Sequence, residues 1–164
     1  MTCEILKDLI VSYNKESEWI EFKLNNDNPE MVGEYISALA NSATLHDIQK
    51  AYLVYGVEDE TLCMSGTTFR PKTSKKGQEE LEGWLHRLLN PSVEFVIYEL
   101  ECEGLLFSVF EIDSAKHAPI RFMNEEYVRV GSYKQKLKKY PEKERKLWSK
   151  FSSFCFEEDI VKKI

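Results

Sequence analysis

The run 51–57, AYLVYGV, constrains the fold more than any other stretch, because it is apolar throughout and rich in β-forming residues. A strand of that composition has no polar face to present to water, so it must lie within a sheet that is covered on both sides. Glu58 and Asp59 end it abruptly. The covering layers can be read nearby. In 3–13, Ile5, Leu6, Leu9, Ile10 and Tyr13 form the stripe of an amphipathic helix. From about Glu30 onward, Val32, Tyr35, Ile36, Leu39 and Ala43 make a broad apolar face, which predicts a helix lying on the sheet.

Further along, Leu81, Trp84, Leu85 and Leu88 recur at helical spacing over 78–89, and Asn90 with Pro91 stops the pattern. The segment 19–24 alternates, with Ile20, Phe22 and Leu24 on one face and Trp19, Glu21 and Lys23 on the other, predicting a half-exposed strand. Runs 93–100 and 105–112 flank Glu103 and Gly104 as a hairpin would, and a second hairpin is expected over 120–130, turning near Asn124. The tail from Glu142 reads as a helix packing through Leu147, Trp148, Phe151, Phe154 and Cys155. These elements fit one domain over 1–164, with 142–164 its C-terminal helix and tail.

Composition excludes several classes. With 43% hydrophobic and 30% charged residues, neither disorder nor a fibrous repeat is expected. The apolar runs are too short to cross a bilayer, and MTCEILKDLI lacks the basic flank and cleavage site of a signal peptide, so a cytoplasmic location is expected. Cys3, Cys63, Cys102 and Cys155 are scattered, with no CxxC pair, and read as reduced, mostly buried thiols. His46, His86 and His117 are equally scattered, so no zinc is expected. Neither GxxxxGK[ST] nor GxGxxG occurs, so ATP is not expected either.

Two groups of residues can carry chemistry. Glu16, Glu18 and Glu21 lie around the first strand, and Glu58 and Asp59 at the end of the buried one. Carboxylates at adjacent strand ends offer the hard oxygens that magnesium or manganese needs beside a phosphate. Glu16 and Glu21 are five apart, so Glu16 must precede the strand, or sit at a bulge, to face the same side as Glu21. Spacing alone favours the plainer reading of a solvated strand edge.

The second group is the stretch 129–150, where Arg129, Lys134, Lys136, Lys138, Lys139, Lys143, Arg145, Lys146 and Lys150 face only Glu142 and Glu144. The chain's net charge is −6, so phosphate binding needs a local patch of this kind. Tyr133 and Tyr140 are interleaved and can stack on unpaired bases, and Lys72, Lys75 and Lys76 can extend the surface. A solubilising helix face explains the same charges equally well.

The succession ESEWIEFK (16–23), ISALANS (36–42), YLVYGVEDE (52–60) with Gly66, and YVRVGS (127–132) resembles the Schlafen AlbA-like domain over about residues 15–134. That family is also called a divergent AAA domain, a label this glycine-poor chain does not support. The resemblance implies an α+β fold with a mixed, mainly antiparallel sheet and packed helices, which the strand and hairpin signals permit. It implies binding of DNA or RNA, for which the residues singled out are Arg129, Ser132, Lys134, Lys136 and Lys138, with Lys23 and Asn41 near the first strand. In vertebrate Schlafen proteins a related core is a metal-dependent endoribonuclease using two glutamates and an aspartate. These correspond to Glu16, Glu21 and Asp59, which would hold magnesium or manganese. Two departures stand out. LHDIQKAYL replaces the family's Gly-Gly entry to the buried strand, and one copy of the fold stands where the vertebrate core has two, so a homodimer is the expected assembly. A dimerising protein-interaction module is the remaining class.

Overall fold

The computed structural model describes residues 1–13 and 17–163, with side chains described as far as Ser152. In chain order the elements are α1 (Cys3–Ser12), β1 (Ile20–Lys23), α2 (Pro29–Leu45), β2 (Lys50–Tyr55), β3 (Lys75–Lys76), β4 (Glu79–Glu80), α3 (Leu81–Leu88) and β5 (Leu89–Asn90). There follow β6 (Phe95–Cys102), β7 (Leu105–Asp113), β8 (Arg121–Phe122), β9 (Glu125–Val130), β10 (Tyr133–Lys136), the 3-10 turn η1 (Leu137–Lys139) and α4 (Pro141–Lys163).

The main sheet has the order β1-β2-β7-β6, with β1 and β2 parallel and every other pair antiparallel. A parallel pair needs a crossover, and α2 supplies it. A second antiparallel sheet has the order β10-β9-β8-β5. The fold is therefore α+β with mixed, mainly antiparallel sheets. β2 is buried on both faces, as its composition demands. Leu53 joins the larger core shared with α2, and Val54 joins a smaller core under α1.

Asn28 caps α2 by accepting from the Met31 amide at 3.1 Å, and Pro29 follows at the first helical position. The helix is buried on most of its circumference because it touches both sheets. At Gly33 a Cβ would come within 2.2 Å of the Phe122 ring, so only glycine permits that approach. The glycine-free exit from α2 turns at Asp47, whose φ of 56° is a conformation that aspartate tolerates, and the Ile48 amide closes back on the Ala43 carbonyl at 2.8 Å.

Three expectations need correction. β1 is not half-exposed: Glu21 and Phe22 are buried on opposite faces, because the β9–β10 hairpin covers one side and α1 the other. The third helix starts at Leu81, after Glu79 and Glu80 have paired with Lys76 and Lys75 in a small ribbon. The cysteines are not mainly buried thiols: Cys3 and Cys102 are joined in a disulfide and Cys63 is exposed, while the Cys155 and Phe154 side chains lie outside the described residues. Among the described residues no helix is long and apolar enough to cross a membrane.

Candidate carboxylate centre and nucleic-acid interface

β1 is the edge of the main sheet, and its Glu21 shares a face with Leu53, its partner on β2. That face looks towards α2 and the β9–β10 hairpin. Glu21 is 4% exposed and Arg129 1% exposed, and the Arg129 Nη1 lies 2.8 Å from Glu21 Oε2. Arg129 also donates to the Ile20 carbonyl at 3.0 Å and to the Gly131 carbonyl at 3.1 Å. The hairpin is thereby pinned to the sheet edge. Lys23 reaches the other Glu21 oxygen at 3.1 Å. Its ammonium sits 4.9 Å from the Tyr35 ring centroid, as does that of Lys134, which pairs with Glu34 at 3.2 Å.

Burial pushes the Glu21 carboxyl above the usual carboxylate range, and Asp59 adds to the rise, while Arg129 and Lys23 pull it back. Lys23 is lowered by burial but lifted more strongly by Glu21 and Tyr35, so its net shift is upward. Tyr13, at the end of α1, is raised by burial and by Asp59, with Glu21 and Arg129 in the same field. Asp59 itself is exposed, in the turn after β2. Glu16 lies outside the described residues.

A chain of contacts extends this centre. The Gly131 amide donates to Glu18 Oε2 at 2.6 Å, and Glu18 Oε1 lies 2.7 Å from His46 Nε2. Position 18 could be found from sequence only as one more acid before a strand, since its partners come from distant segments.

Asn41 is fully buried. It donates to the Ile120 and Tyr127 carbonyls at 3.0 and 2.8 Å and accepts from the Ile120 amide at 2.7 Å. Ser37 accepts from the Tyr127 amide at 3.1 Å and Ser42 from the Arg129 amide at 2.9 Å. The polar residues of the α2 motif therefore serve as a surrogate strand for the second hairpin. Asn41 and Arg129, singled out for binding nucleic acid, face inward and are framework instead.

The remaining cations divide. Lys136 and Lys138 share Glu125 at 3.3 and 3.1 Å, and Lys150 meets Asp47 at 2.9 Å. Lys76 pairs with Glu30 at 2.9 Å. Among the described residues, Lys139, Lys143, Arg145 and Lys146 have no carboxylate within ion-pair distance. Lys143, Lys146 and Lys150 follow helical spacing along one flank of α4, beside the buried stripe of Leu147 and Phe151. Ser132 is exposed in the β9–β10 turn. Tyr133 is 70% exposed and Trp148 46% exposed, whereas Tyr140 packs against the core. Among the described residues no group of three metal-ligating side chains is assembled.

A family model described as Schlafen, AlbA_2 matches residues 16–138. No curated protein matches the chain. The solution NMR structure of the N-terminal domain of a RecG-related protein from Nitrosomonas europaea is similar, with a TM-score of 0.52 and 22% identity over 82% of this chain and 92% of that one. The crystal structure of the DIP2311 protein from Corynebacterium diphtheriae has a TM-score of 0.48 at 13% identity. The likeness covers 80% of this chain but only 25% of that protein.

Proposed function

The chain belongs to the Schlafen, AlbA_2 family over residues 16–138, and from that premise we propose that it binds nucleic acid along β10, η1 and the first turns of α4. The observation that carries this reading is the set of cations without a carboxylate partner among the described residues, Lys139, Lys143, Arg145 and Lys146, on a chain of net charge −6. Excess positive charge in one place on an acidic protein attracts phosphates by counterion release. Ser132, Lys134, Lys136 and Lys138 border this surface, and Lys136 and Lys138 have to trade Glu125 for phosphate on binding. The exposed Tyr133 and Trp148 offer faces on which unpaired bases stack. The similar Nitrosomonas europaea domain comes from a protein named for its relation to the helicase RecG, which agrees with this class of ligand.

The test is a titration of labelled single-stranded DNA and transfer RNA over a range of salt. A steep fall of affinity with salt, shallower in Lys143→Gln/Lys146→Gln, is expected. No binding at low salt sinks the reading.

The placement of Glu21 on β1 and of the exposed Asp59 in the turn after the neighbouring strand β2 supports a second reading, metal-dependent endoribonuclease activity. Carboxylate oxygens are hard donors that suit magnesium or manganese, so Glu16, Glu21 and Asp59 are the residues that would hold the ion. Such an ion supplies an activated water and charge stabilisation at phosphorus. Lys23 and Arg129 keep the Glu21 carboxylate oriented, and the exposed Asp59 faces the solvent from which RNA arrives. Manganese-dependent fragments of transfer RNA that vanish in Asp59→Ala, with binding intact, are the expected signature. A homodimer that joins two such surfaces is the assembly we propose, and a monomer mass in sedimentation at high concentration argues against it.

A further inference from the structure

We propose that Cys3 and Cys102 are a reversible thiol–disulfide site that fastens α1 over the second face of the main sheet and loosens it on reduction. The two residues are 99 apart in sequence, yet their Cα atoms lie 5.3 Å apart, inside the range a disulfide spans. Cys3 opens α1, and Cys102 ends β6. Cys102 is 2% exposed, whereas Cys3 is only partly buried. Cys3 is therefore the more accessible of the two, and Cys102 is the shielded partner that closes or leaves the bond.

Beyond the disulfide, α1 is held by Leu6 and by the partly buried Leu9, Ile10 and Tyr13. Leu6 is its one fully buried residue, Val11 and Ile5 are exposed, and the Lys7–Glu103 ion pair at 2.6 Å lies in solvent, where such pairs contribute little. What α1 covers is substantial: Ile20, Phe22, Val54, Phe107 and Val109, the smaller core. Its far end carries Tyr13, whose ring meets Phe22 edge-on at 4.9 Å. The helix also lies outside the family match.

The chemistry balances with a low-molecular-weight disulfide as oxidant. One cysteine thiolate attacks it and expels a thiolate, giving a mixed disulfide. The second cysteine then displaces the other small thiol, so two electrons and two protons leave the protein and two small thiols form. Excess reduced thiol runs the sequence backwards.

The experiment equilibrates the full chain in mixtures of reduced and oxidised glutathione and reads amide exchange on one portion and, after alkylation of free thiols in denaturant, intact mass and peptide map on another. All four cysteines should alkylate in the reduced state, and only Cys63 and Cys155 in the oxidised one. Amides of α1 should exchange about tenfold or more faster after reduction, while those of β2 and β7 stay protected. Cys3→Ser and Cys102→Ser should show the fast α1 exchange in both buffers. Four alkylated cysteines at every ratio, a map that pairs Cys63 with Cys155, or equal α1 exchange in the two states would each overturn the proposal.

Discussion

The Glu21–Arg129 centre and the flank of α4 are both rich in charge, yet they differ in every physical respect that matters. At the centre, an acid and a guanidinium are buried together, and each is held by partners from distant strands. On the flank, Lys143 and Lys146 have no carboxylate within ion-pair distance among the described residues, whereas Lys150 meets Asp47 at 2.9 Å. A buried charge costs heavily unless it is paired, so the centre is committed to structure and to any chemistry Glu21 performs. An exposed unpaired charge costs little and remains available to a ligand. Counting basic residues along 129–150 merges these two populations, which only solvent access separates.

The strongest way to break this comparison is Arg129→Ala. It leaves Glu21 buried without its main counter-charge, and a loss of about 3–5 kcal/mol is expected in denaturant unfolding. A loss under 1 kcal/mol would mean that the pair is not structural. Next, Asn41→Ala strands the Ile120 and Tyr127 backbone groups and should cost about 2 kcal/mol in the same assay. The flank should behave in the opposite way. Tyr133→Ala and Trp148→Ala should each weaken binding of unpaired oligonucleotide by about 1–2 kcal/mol while unfolding stays almost unchanged. Lys143→Gln with Lys146→Gln should lower the salt slope by about one per lost phosphate contact and move stability by less than about 0.5 kcal/mol.

The smallest effect is a change of slope with pH. The folded-state pKa of Glu21 is raised, so the folded protein holds this proton more tightly than the unfolded chain does. The resulting stability is fully present below the ordinary carboxylate range and is lost as pH rises through the raised value. Glu21→Gln should flatten that segment of the stability curve, and an unchanged curve would show that burial does not govern this carboxyl.

Much of the fold was legible because short-range patterns are enough for it. The buried run 51–57, the stripe of α2, and the Glu103–Gly104 and Asn124 turns each carry their signal within a few residues. The alternation of β1 is real and predicts a half-exposed strand, but the face with Glu21 and Lys23 is covered by a hairpin that arrives more than a hundred residues later. β5 and the ribbon strands are two residues long, too short for any period to show.

Within the candidate site, the residue types that make up the centre were visible in ESEWIEFK, YLVYGVEDE and YVRVGS, since the chemistry of an acid or a cation is a local property. Their pairing was not, and neither were the inward turn of Asn41 and the meeting of Cys3 with Cys102. Those outcomes depend on which segments close a loop of about a hundred residues to meet. Sequence by itself determined the layered α+β architecture and the supply of charge. Tertiary structure alone decided which charges are cancelled in the interior and which are left facing water, because desolvation and long-range contact exist only once the chain has folded.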